Sequence, residues 1–93
     1  MSGATGTPWE RMIKVGKAKY IRNEPSFRAG VRRHLFKLST PTCVKYVVVE
    51  WEGMRTRIRK YNYYNRDLEV MVASFESPLS AKEALAAIGY ELY

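Results

Sequence analysis

Arg55, Arg57 and Arg59 recur at alternate positions, and Tyr61 and Tyr63 continue the same spacing. In an extended strand a period of two places all five side chains on one face. Guanidinium groups pair bidentately with phosphate, and tyrosine rings offer flat surfaces to unpaired bases. The chemistry this row can do is therefore binding, with single-stranded RNA or DNA as the ligand class. The competing reading is a solvated sheet face on which Glu50 neutralises Arg55 and Tyr46 stacks under Arg59. A second basic group, Arg28, Arg32, Arg33 and Lys37, lies earlier in the chain and could track a phosphate backbone. A third feature is the aromatic cluster Tyr61, Tyr63 and Tyr64 around Asn62 and Asn65, which suits a protein contact surface as well as base stacking.

Residues for covalent or acid–base chemistry are sparse. The single His34 has no carboxylate three or four residues away to orient it. The single Cys43 excludes an internal disulfide and any multi-cysteine zinc site, and it reads as a structural thiol. Glu69 and Glu76 are too far apart in sequence to suggest a carboxylate pair, and no glycine-rich phosphate loop is present. The expectation is a protein without catalytic residues, metal or cofactor.

The charge is one-sided. The chain of 93 residues carries 16 Lys and Arg against nine Asp and Glu, a net +7. Residues 1–40 hold nine of the bases and two of the acids, whereas residues 41–93 are balanced. Such asymmetry points to a polyanionic partner or to an acid-poor targeting segment. Hydrophobic content of 46% with 27% charged residues is ordinary for a globular domain, and no apolar run is long enough to span a bilayer.

The elements that must position these residues divide at about residue 24. Residues 1–24 read as a flexible basic segment with a short helix, because Thr7-Pro8-Trp9-Glu10 combines an N-cap, a proline at N1 and a capping-box Glu. Trp9, Met12 and Ile13 would share a face of that helix, and Gly16 would end it. Residues 17–22 could be extended. Residues 25–93 read as one α+β domain. Phe27, Val31, Leu35 and Leu38 form a helical stripe, which predicts an amphipathic basic helix over about 26–37, weakened by Gly30.

Val44 to Trp51, Arg55 to Tyr63 and Leu68 to Phe75 read as strands separated by turns at Glu52-Gly53 and Asn65-Arg66-Asp67. The first turn puts Trp51, Val49 and Val47 opposite Met54, Thr56 and Ile58 on an apolar face. Glu50, Val48 and Tyr46 then oppose Arg55, Arg57 and Arg59 on the other. Ser80-Ala81-Lys82-Glu83 is a capping box that opens a helix with Ala81, Ala84, Leu85 and Ile88 on one face, and Gly89 closes it. Tyr90–Tyr93 reads as a short edge strand. The expected architecture is an antiparallel meander of three to four strands with two or three short helices packed on one face.

These readings converge on a non-enzymatic nucleic-acid-binding protein, with RNA favoured over DNA and a ribonucleoprotein as its setting. The alternative is a small accessory subunit or inhibitor that lays its basic N-terminal half on an acidic protein surface. The free thiol fits an intracellular compartment, cytoplasmic or organellar. Membership of a larger assembly is expected in either case.

Overall fold

Six strands and one helix make up residues 15–93, the part of the chain that the computed structural model describes. The strands are β1 (Gly16–Glu24), β2 (Val31–Ser39), β3 (Val44–Glu52), β4 (Arg55–Asn62), β5 (Asp67–Phe75) and β6 (Tyr90–Leu92); the helix α1 is Ala81–Ala87. They form a single sheet in the order β5-β4-β3-β2-β1-β6. The first five pair antiparallel as a meander, and β6 joins the far edge parallel to β1. The expected sheet of three to four strands with two or three helices is therefore corrected to a six-stranded mixed sheet with one short helix. The helix read at Thr7 lies outside the described residues, and the boundary placed after residue 24 falls at the end of β1.

The predicted basic helix over 26–37 is instead a turn followed by β2. Gly30 adopts a φ of 77°, a left-handed conformation that breaks any helix there. Beyond it the apolar residues divide between two faces: Leu35 packs with Val48 and Tyr61, while Phe36 and Leu38 join the opposite core. A strand buried on both sides loses simple alternation, and its apolar residues mimic a helical stripe.

The β3–β4 hairpin also differs in register from expectation. Glu52 pairs with Arg55, so the two-residue turn is Gly53-Met54, with Gly53 at a φ of 58°. Left-handed backbone at the first central position alone is the type II′ pattern that suits a right-twisted hairpin. Trp51 consequently faces Thr56, Val49 faces Ile58 and Glu50 faces Arg57. The shift is two residues, so every side chain keeps its expected face.

The first face carries the main core, in which Phe36, Leu38, Val47, Val49 and Ile58 meet Ala84 and Leu85 of α1. The connection from β5 is tied down before the helix begins. Thr56 Oγ1 donates to Ser77 O and accepts from Leu79 N, and Trp51 Nε1 donates to Leu79 O at 2.6 Å. Ser80 then caps α1, with both halves of its box with Glu83 formed as the sequence indicates. Gly89, at a φ of 94°, turns the chain into β6 beside β1. In urea titrations Ser80→Ala should destabilise the protein by about 1 kcal/mol through loss of the cap. Leu85→Ala should cost about 2–5 kcal/mol, because it empties a fully buried site beneath the sheet.

Candidate functional site

Among the described residues no helix covers the second face of the sheet, and cross-strand partners divide it into two halves. One row reads Glu24, Arg33, Glu50, Arg57 across β1, β2, β3 and β4, alternating in sign at each strand. Glu50 is 1% exposed; its Oε2 accepts from Arg33 Nε at 2.7 Å and its Oε1 from Arg57 Nη1 at 3.2 Å. Arg57 Nη1 also reaches Glu52 at 3.1 Å, and Arg28 reaches the same Glu52 oxygen at 2.9 Å. Burial alone would push the Glu50 carboxyl up. The hydrogen bonds and charges of Arg33 and Arg57 outweigh it and leave the pKa below the ordinary 4.5. Arg57 is correspondingly raised, chiefly by its hydrogen bond to Glu50.

The other half of this face has a different character. Lys19, Lys37 and Tyr46 are direct cross-strand partners on β1, β2 and β3, and Lys17, Ser39 and Val44 form the next row. Lys19 and Lys37 therefore stand side by side, and neither makes an ion pair among the described residues. Like charges directly opposite each other on a sheet are destabilising unless an anion lies between them. Beside them the rings of Tyr46 and Tyr63 stack at 4.4 Å, with Tyr61 edge-on to Tyr63 at 6.4 Å. Arg22 lies over Tyr63 at 5.7 Å. The Tyr61 hydroxyl donates to Glu24 Oε1 at 3.0 Å; burial first, and that carboxylate second, raise its pKa.

A gap in the sheet opens the tyrosine cluster. The pairing of β3 with β4 stops at Val47 and Lys60. Beyond that pair β3 continues only with β2, and β4 only with β5. The diverging ends enclose a cleft of about 880 Å³ whose walls include Tyr46, Lys45, Lys60, Tyr61, Tyr63 and Tyr64. Tyr64 is fully exposed at its mouth. Asn62 shapes the rim, because its Oδ1 accepts from the backbone N–H of Tyr64 and of Asn65.

The ten residues singled out from sequence thus part company. Lys37, Tyr46, Tyr61, Tyr63 and Arg59 gather on or beside the cleft half, although Arg59 also donates to Glu69 O at 3.3 Å. Arg33 and Arg57 are held in the charge ladder, where Arg57 rather than Arg55 faces Glu50. Arg28 pairs with Glu52, and Arg55 pairs with Glu76 at 3.3 Å. Arg32 lies on the opposite face, 5.0 Å over the Trp51 ring. Lys17 and Lys19 belong to the basic half and were not singled out, although the alternation Lys17-Ala18-Lys19-Tyr20 carries a strand signal; Arg22 beside them is paired with Glu24 at 2.7 Å.

His34 packs against Tyr20 and Trp51 on the helix-bearing face, where burial and then the Arg32 charge lower its pKa. The described residues contain no group of three or more metal-ligating side chains, and no helix among them is long and apolar enough to cross a membrane. No protein-family model, curated protein or solved structure matches the chain.

The ladder predicts a specific response to acid. A carboxyl whose pKa is lower folded than unfolded contributes stability that is fully present above its unfolded value. That contribution is lost as the pH falls through the folded value. Glu50→Gln should destabilise the protein at neutral pH by about 3–5 kcal/mol, since it leaves two arginines facing a neutral group. Urea midpoints of the variant should also vary less with pH below 4.5 than those of the parent. Parallel pH curves for the two proteins would assign acid sensitivity to other carboxylates.

Proposed function

We propose that the chain is a non-enzymatic module that binds single-stranded nucleic acid on the lysine and tyrosine half of its open face. The observation that carries this reading is the Lys19–Lys37 pair set beside the stacked Tyr46 and Tyr63. A phosphate backbone relieves the repulsion between the lysines, and a base can stack at the cleft on Tyr63 or Tyr64. The alternating ladder keeps the other half of the face close to neutral, which confines the attraction to one end of the sheet.

RNA is favoured over DNA because its loops and ends present unstacked bases to such platforms. An intracellular setting, as part of a ribonucleoprotein, accords with that ligand and with the free thiol of Cys43. Docking of the same lysines on an acidic protein surface would satisfy their charge but gives the tyrosine stack no role.

Fluorescence anisotropy with an oligouridine tests the reading. Neutralising about three phosphates on a single strand gives a log–log salt slope near −2. The double variant Lys19→Glu/Lys37→Glu should abolish most of the binding and flatten that slope. Tyr63→Ala should weaken binding about tenfold at unchanged slope, through the loss of one stacked base. Undetectable binding at low salt, or equal binding by the lysine variant, would overturn it.

A further inference from the structure

We propose that the protein self-associates through β5, with a second copy of the chain docking antiparallel along that edge about a two-fold axis at Met71. Among the described residues β5 is the outer strand of the sheet, with β4 on one side and no strand on the other. Its centre exposes three consecutive apolar side chains: Val70 is 69% exposed, Met71 51% and Val72 46%. Two irregularities in the β4–β5 register accompany this run, since Arg59 pairs with Met71 whereas Ile58 pairs with Ala73 and Tyr61 with Leu68. A regular strand would send alternate residues to opposite faces; bulges break that alternation and turn neighbouring side chains outward. Edge strands of monomeric sheets are usually guarded by charge, by proline or by bulges that twist the edge away. From Val70 to Phe75 this edge has neither charge nor proline, and its two irregularities leave the apolar run exposed.

The sequence of the edge identifies the occupant, because it complements itself. Pairing Met71 with its own symmetry mate sets Val70 against Val72 and Val72 against Val70, so that the whole apolar run is matched. Asp67 and Glu69 then face Phe75 and Ala73, and no carboxylate meets another. The same register brings Arg66 opposite Glu76 at both ends. Arg66 makes no ion pair among the described residues. The Glu76 side chain is 78% exposed and among the described residues reaches only Arg55, at 3.3 Å. Sliding the register by two residues toward Asp67 sets Met71 against Glu69 and separates Arg66 from Glu76. The centred register satisfies the apolar and the charged residues together, and strand addition of this kind supplies main-chain hydrogen bonds where the edge is regular. The interface lies away from the Lys19–Lys37 row and does not depend on nucleic-acid binding.

Sedimentation equilibrium of the full chain, with the exposed Cys43 replaced by serine, tests the proposal. A dimer is expected, and Val70→Lys/Val72→Lys should halve the measured mass while the circular dichroism stays sheet-like. In the same background Met71→Cys should cross-link to its own mate on mild oxidation, well ahead of a control cysteine at Tyr64, a more exposed position. A monomer up to millimolar concentration overturns the proposal. So does a dimer that the lysine pair leaves intact, or a Met71→Cys protein that cross-links no faster than the control.

Discussion

A single buried carboxylate sets the terms for the open face of this sheet. Glu50 sits on the central strand β3, and arginines from both neighbouring strands reach it, Arg33 at 2.7 Å and Arg57 at 3.2 Å. Burying one charge alone would cost several kcal/mol, and two arginines around one carboxylate exceed its charge. Glu52 and Glu24 supply the remainder: Glu52 takes a second bond from Arg57 and one from Arg28, and Glu24 flanks the row on β1. The ladder therefore works as a closed set. It also fixes register, because a two-residue slip of β2 or β4 would set Glu50 against Leu35 or Arg59 instead of its present partners, and a one-residue slip would put arginine into the apolar core.

Ion pairs within and beside the ladder consume much of the basic character that the composition advertises. Arg28, Arg33, Arg55 and Arg57 all have acidic partners, so a net charge of +7 does not amount to a uniformly basic surface. The residual attraction for an anion is concentrated where the ladder ends and the lysines of β1 and β2 meet. That location coincides with the parting of β3 from β4, which frees Tyr46 and Tyr63 to stack on each other. The β1–β2 hairpin thus supplies the charge, and the loss of strand pairing beyond Val47 and Lys60 supplies the aromatic surface beside it.

What could be read from the sequence follows the range of the interactions involved. The capping box at Ser80 and the turn at Gly89 rest on neighbours within a few residues and stand where the local pattern puts them, and the β3–β4 hairpin forms with its register displaced by two residues. Even the misplaced turn residue in that hairpin preserved the faces, because the error was an even number of positions. β2 was misread because its apolar residues serve two cores at once, and only the presence of β1 and β3 on either side explains that division. The Lys19–Lys37 contact lay out of reach for the same reason. It joins residues that are opposed only once the first hairpin forms, and no spacing within either strand announces it.

That first hairpin changes the meaning of the charge asymmetry. A basic front attached to a neutral fold suggests a tail and a body, yet β1 and β2 lie inside the sheet and contribute Ala18, Leu35, Phe36 and Leu38 to its cores. Their charged residues share strands, and in β2 share faces, with the apolar residues that stabilise the fold. Mutating the basic residues of β1 and β2 therefore tests binding and folding together unless exposure separates them. Arg33, with its buried partner, reports on the fold, whereas the outward lysines of the same hairpin can be reversed in charge without opening either core. The division between ion-paired and unpaired cations runs across single strands, set by the neighbour opposite each residue rather than by position along the chain.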